Sequence, residues 1–368
     1  MFFLRRAALV GVILVLEFAA LEAGLRTWGA FESSSEFRTL FMDDPQVGVR
    51  LRPNARISYS TVEFTTDIAI NDQGVRDDEP IGAKAPGERR IVVLGDSLVL
   101  SVQVAQTQTF CEQLERQLNE GAGGTRWRVI NGGVQGYGPV DYWLFFDKVA
   151  AQFEPDIVLV VAYVGNDAIE AADGEASLEA GRRIRPTQPA VTNIRRVVRS
   201  SAVLQLARVR WDQLRSRVAT GTPERPLATY LTDPPPVVQH GLEVSRRAFE
   251  KIAGRARAVG AQTGIVLMPA RLQVNDEDFS NLRAIVKEAG GEMDRNGASR
   301  RFQEALTPLG IPVRDIQPDL ARQPDAAGIF LRTTAHLSPR GHSAVADALL
   351  VFLRSSGMLN LPAELPRP

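Results

Sequence analysis

From residue 89 onward, short runs of Val, Ile and Leu alternate with amphipathic segments of helical length, and this alternation constrains the fold more than any other feature. Strand-length runs fall at 90–94, 128–131, 156–163, 263–268 and 311–314, and helical spacing falls between them at 109–120, 139–152, 241–259 and 296–308. A last helix, SPRGHSAVADALLVFLRSSG, opens with Ser338 as N-cap and Pro339 at its first position, and stops at Gly357. Apolar strands joined by helices specify a mostly parallel, five-stranded sheet covered on both faces, an α/β fold. Ligands of such sheets bind beyond the carboxyl ends of the strands.

The flanking segments are different in kind. Arg5 and Arg6 precede an apolar stretch from Ala7 to about Leu25, broken only by Glu17 and Glu22. That length is near the minimum for a transmembrane helix, and the arginines favour a cytoplasmic N-terminus with the rest of the chain outside the cytoplasm. A signal anchor over 1–30 is preferred to a cleaved signal peptide, because no small-x-small cleavage site follows the apolar core. Residues 31–88 form a β-rich extension, with a strand-like stretch ARISYSTVEFTTDIAIN and a turn NDQGVRDDEP. The main domain then spans 89–357, with a tail at 358–368.

An insertion is expected at about 170–240. Between Gly181 and Arg217 it carries ten arginines and a single acid, Asp212. Its readings are a solvated amphipathic helix, contact with an anionic membrane surface, or a lid. A formal net charge of zero argues against a nucleic-acid partner. The single Cys111 excludes an intramolecular disulfide and, from its helical spacing with Phe110, Leu114 and Leu118, belongs to a core.

Three strand ends carry the candidate chemistry. The first ends in Gly95-Asp96-Ser97, the second in VINGGVQGYG, the third in VVAYVGND. In a parallel sheet they share one edge, so Ser97, Gly136 and Asn166 can converge. The N–H groups of Ser97 and Gly136 and the amide of Asn166 are suited to hold the oxyanion of an ester's tetrahedral intermediate. Taken singly, each block has a plainer reading: Ser97 as a helix cap, the glycines as a tight turn, Asn166-Asp167 as a cap. A serine nucleophile also needs a base, and the chain has three histidines. His240 follows DPPPVVQ in a loop and reads as structural. His336 lies in the loop before the last helix and is preferred as base to His342, inside that helix.

The ordered set GDSL at 95, NGGVQG at 131, GND at 165 and HLSPRGH at 336 resembles the four blocks of the SGNH (GDSL) hydrolases, over roughly residues 89–357. The anchor and NDQGVRDDE resemble membrane-anchored bacterial members. The resemblance implies a flavodoxin-like three-layer α/β/α fold, Ser97 as nucleophile, an oxyanion hole of Ser97, Gly136 and Asn166, His336 as general base, and no metal or organic cofactor. It implies an extracytoplasmic serine esterase acting on a small ester or an O-acylated carbohydrate. Alginate O-acetyltransferases in the superfamily make acyl transfer to a sugar hydroxyl an alternative.

The chain departs from the family at two places. Ser101 and Gln103 stand where many members have glycine. The acid usual two or three residues before the histidine is replaced by Thr334 and Thr333. That acid fixes the imidazole tautomer in a Ser/His/Asp triad. The Thr334 hydroxyl, a backbone carbonyl, or Asp325 folding back are the substitutes to look for. A third reading, a catalytically impaired carbohydrate-binding or assembly protein, follows if none serves.

Overall fold

The computed structural model describes residues 15–24, 37–61, 63–120, 125–184, 203 and 225–360. Two antiparallel hairpins come first, β1 (Phe41–Asp44) with β2 (Gly48–Leu51), and β3 (Arg56–Ser60) with β4 (Thr65–Ala69). The single strand-like stretch of the sequence is therefore two strands, turning at Thr61–Phe64, where the Thr61 hydroxyl accepts from the Phe64 N–H. Leu40, Leu51, Tyr59, Ile68 and Ile70 are buried in the same core as the main sheet, so the extension packs on the α/β body.

That body is a five-stranded sheet of β5 (Glu88–Gly95), β6 (Arg126–Gly133), β7 (Ile157–Tyr163), β8 (Gln262–Met268) and β9 (Val313–Asp315), in the order β6-β5-β7-β8-β9. Every pairing is parallel. The order is that of flavodoxin-like sheets, in which direction of winding reverses at the first strand. Alternate residues face opposite layers. Val92, Leu94, Val158, Val160, Ile265 and Leu267 pack into one core; Ile91, Val93, Ile157, Leu159, Val161 and Val266 pack into the other. Burial of each such side chain stabilises the fold by roughly 1.5–3 kcal/mol.

Helices cover both faces. The elements after the first strand are α1 (Ser97–Leu100), α2 (Phe110–Glu120), α3 (Pro139–Lys148), α4 (Asp167–Ala180), α5 (Pro236–Ala258), α6 (Arg271–Val274), α7 (Asp276–Glu288), α8 (Gly297–Leu306), α9 (Gln317–Ala321) and α10 (Pro339–Ser355). α2 and α10 lie on one face, with Cys111 buried among them; α3, α4, α5 and α8 lie on the other. Ser338 caps α10 as expected, its Oγ accepting from the Gly341 N–H at 3.1 Å.

Two expectations need correction. α4 runs through Ala180 and packs on α5, which itself begins at Pro236, so both ends of the span expected as an insertion are helices of the body. His240 is not in a loop but in α5, where Nε2 meets Glu175 at 3.0 Å. Of the expected transmembrane segment only 15–24 are described, and they are helical; among the described residues no helix is long and apolar enough to cross a membrane. The rest of 1–30, and the arginines from Arg185 to Arg217, lie outside the described residues.

Candidate active site

Three adjacent strands deliver their carboxyl ends to one edge. Ser97 follows β5, Gly136 follows β6 and Asn166 follows β7, at the point where the sheet's winding reverses. β5 is the strand shared by the other two, so Ser97 stands between them.

The serine turn is built from behind. Asp96 caps α1 by accepting from the Leu98 N–H at 2.8 Å, which starts the helix at Ser97. The helix cap is therefore Asp96 and not Ser97, which leaves the serine hydroxyl available. Asn131, of the NGG block, donates to the Val99 carbonyl at 2.7 Å and accepts from the Gly133 N–H at 3.0 Å. A Cβ on Gly133 would lie 2.3 Å from the Leu100 nitrogen, so only glycine lets β6 pass this close. Arg76, from the turn NDQGVRDDE, is buried and donates to the carbonyls of Leu100 at 2.8 Å, Val104 at 2.6 Å, and Ser101. Burial lowers its pKa to about 10, which leaves it charged at neutral pH.

Ser101 explains the first departure from the family. It adopts φ 58°, a left-handed conformation that glycine usually supplies. Its hydroxyl donates to the carbonyls of Leu98 at 2.7 Å and Val99 at 2.9 Å. The strain is offset by capping the end of α1.

Ser97 Oγ and His336 Nε2 lie 3.0 Å apart, across 239 residues of sequence. No other histidine competes. His342 is buried and its Nδ1 accepts from the Phe110 N–H at 3.3 Å, holding α10 against α2. Burial depresses the pKa of His336 to about 4, so its imidazole is neutral at neutral pH, as a base requires.

None of the three expected substitutes for the acid reaches the ring. His336 Nδ1 is buried and has no hydrogen-bond partner in the protein. The Thr334 hydroxyl accepts from the backbone N–H of His336 at 3.4 Å instead. Asp325 caps Gly328 at 3.1 Å and pairs with Arg340 at 3.1 Å, facing away. What holds the loop is a set of contacts that sequence reasoning missed. Glu63, between β3 and β4, accepts from the N–H groups of Arg332 at 2.6 Å and Thr333 at 3.0 Å, and from the Thr333 hydroxyl. Arg271 donates to the carbonyls of Leu331 at 3.1 Å and Arg332 at 2.9 Å.

On the oxyanion side, Gly136 has φ 73° in a turn closed by the Tyr137 N–H on the Val134 carbonyl at 3.2 Å, and it is exposed. This is a type II turn with glycine at the position that demands it. Asn166 caps α4, its carbonyl accepting from Ile169 and Glu170. Its side-chain amide donates to Glu170 Oε1 at 2.8 Å. Asp167 is buried and structural, accepting from the Tyr142 hydroxyl at 3.0 Å and the Tyr163 N–H at 2.9 Å. Burial pushes the carboxyls of Asp96 to about 7 and Glu170 to about 8, and raises Asp141 and Asp167. Among the described residues no group of His, Cys, Asp or Glu is arranged to hold a metal ion.

Residues 230–365 match a family model described as SGNH hydrolase-like domain, acetyltransferase AlgX. The match covers little more than a third of the chain; it includes His336 and leaves Ser97 outside. No curated protein matches the chain. Similar solved structures include a lipase/acylhydrolase from Enterococcus faecalis, 14% identical, covering 73% of this chain and 96% of that one with a TM-score of 0.40. The esterase EstA from Pseudoalteromonas sp. is 12% identical, with coverages of 74% and 100% and a TM-score of 0.40. The acetylxylan esterase Axe2 from Geobacillus stearothermophilus is 11% identical, with coverages of 76% and 97% and a TM-score of 0.40. Likenesses of this size carry no weight beside the strand order and the Ser97–His336 contact. The blocks of the first half of the sheet, which resemble those of the SGNH (GDSL) hydrolases, and the SGNH hydrolase-like family match of the second half meet at that contact.

Proposed function

We propose that the chain is a serine esterase or acyltransferase acting on O-acetyl or other short acyl esters of a carbohydrate. The observation that carries this is the 3.0 Å contact between Ser97 Oγ and a neutral, half-buried His336. Ser97 Oγ attacks the ester carbonyl carbon as His336 Nε2 takes its proton. The carbonyl oxygen becomes an oxyanion, for which the N–H groups of Ser97 and Gly136 and the Asn166 amide are the candidate donors. Collapse expels the alcohol, which takes the proton back from His336, and leaves acyl-Ser97. A second hydroxyl, of water or of a sugar, then attacks while His336 again accepts a proton. Water yields the free acid; a sugar yields an acylated product. The description of the matched family as an acetyltransferase favours the second acceptor.

The basic residues Arg5 and Arg6 and the apolar run after them support a site on the far side of the bacterial inner membrane, tethered by the N-terminus. The unpartnered Nδ1 of His336 favours the competing reading, a binding protein with an idle site. Intact-mass analysis of the full-length protein after a fluorophosphonate separates them. One adduct per chain, absent in Ser97→Ala and His336→Ala, is the expected result. A folded parent that stays unlabelled beside a reactive control overturns the enzyme reading.

A further inference from the structure

Glu170 lies one helical turn beyond Asn166 and is the only described acceptor of its side-chain amide. Asn166 Oδ1 and Glu170 Oε2 are both buried without a partner. An asparagine amide at an oxyanion hole must present nitrogen, not oxygen, to the developing charge. Its two N–H bonds diverge, so fixing one on Glu170 Oε1 aims the other. Glu170 packs against Gly138, where a Cβ would come within 2.8 Å of the Glu170 Cβ.

We propose that Glu170 is the positioning residue of the oxyanion hole, fixing the Asn166 amide while it is uncharged and opposing the oxyanion once it ionises. This rests on the serine-acyl reading above. The surroundings favour the uncharged form. Asp96 faces Glu170 from the turn after β5 and Asp141 from α3, with Asp167 beside it on α4; Tyr142 and Tyr163 are the neighbouring phenols, and among the described residues Arg183, beyond α4, is the cation that acts on it. From α5, His240 and Arg247 are engaged with Glu175 and Glu179 further along α4. Burial first, then Asp96 and Asp141, push the Glu170 carboxyl to about 8, against the pull of Arg183 and Asn166. A negative charge one amide away from an oxyanion in a poorly solvated site destabilises the transition state more than the bound ester.

The test is the pH profile of p-nitrophenyl acetate turnover by the full-length protein, with Glu170→Gln and Glu170→Ala. In the parent, kcat/KM is expected to fall about tenfold per pH unit above roughly 8. Glu170→Gln keeps the acceptor oxygen and cannot ionise, so the alkaline decline is expected to vanish. Glu170→Ala removes the acceptor, so kcat is expected to fall about tenfold or more across the whole profile with KM little changed. An active parent whose alkaline limb survives in Glu170→Gln, or whose kcat survives Glu170→Ala, overturns this inference and leaves the esterase reading standing. A parent that turns over no ester and takes no fluorophosphonate overturns both.

Discussion

The turn that carries Ser97 is braced by buried donors, whereas the loop that carries His336, anchored at its base by Phe330 and Leu337, is braced on its outward side by groups near solvent. Behind Ser97 lie a strand with no exposed side chain from Ile91 to Leu94, the Asn131 amide on Val99, and the buried Arg76 on three carbonyls. The His336 loop closes on itself through the Leu331 N–H on the His336 carbonyl at 2.9 Å, and its outward groups are bound by Glu63 and Arg271 near solvent. The two halves still meet at hydrogen-bond distance. The difference teaches that this fold fixes its nucleophile through the core and its base through surface contacts, so that loss of the usual acid is tolerated geometrically while leaving the ring nitrogen unpaired.

The largest effect expected is on the contact itself. Ser97→Ala and His336→Ala should each lower kcat by about 10⁴ or more, and the double variant should be no worse than either alone, because the pair acts as one unit. Steady-state kinetics check this. A His336→Ala enzyme within tenfold of the parent would show that the loop delivers no base, and the comparison would collapse to a serine side without a partner.

Next comes stability. Arg76→Met leaves the carbonyls of Leu100, Ser101 and Val104 buried without their donor, and should destabilise the protein by roughly 3–5 kcal/mol in urea unfolding. Glu63→Gln, at an exposed site, should change stability by less than about 1 kcal/mol. Equal losses in the two variants would break the distinction between a core-built and a surface-built half.

Legibility in the sequence follows the same division. The strands from 90–94 onward, their parallel pairing and the delivery of the ends of β5, β6 and β7 to one edge were readable, because apolar period and glycine placement are local signals of the core. Helix 167–180 was not: DAIEAADGEASLEA is rich in Ala and Glu and carries Gly174 where α4 closes on Val140, so its apolar face is faint. His336 was readable from its position before α10. Its supports were not, since Glu63 lies some 270 residues away and holds Thr333 through an exposed carboxylate that no periodicity marks. Arg76 belongs to a turn, yet nothing local says that an arginine followed by Asp77 and Asp78 is buried.

A smaller effect tests the missing acid. With no carboxylate on Nδ1, burial alone sets His336, so the acid limb of kcat/KM should lie near 4: the base is neutral above that pH and is lost as pH falls through it. Thr333→Asp, made together with Glu63→Gln so that two carboxylates do not face each other, restores an acid three residues before the histidine. The acid limb should then rise to roughly 6 and kcat should increase about tenfold, since a charged partner favours the imidazolium formed in the transition state. A limb that stays near 4 means the loop does not let residue 333 reach the ring.

The smallest effect separates holding the loop from holding the fold. Glu63→Gln keeps one acceptor oxygen but loses the charge that draws the Arg332 and Thr333 donors. Burial raises the Glu63 carboxyl, but the hydrogen bonds from Thr333 and Arg332 together outweigh it and bring the carboxyl below the usual range, so it remains ionised through neutral pH. The expected loss is about three- to tenfold in kcat with KM and the melting temperature little changed, because misplacing the base by a fraction of an ångström weakens proton transfer without touching ester binding. A loss confined to KM would instead place Glu63 at the substrate, and the surface of the β3–β4 hairpin would then be part of the acceptor site rather than a brace for the base.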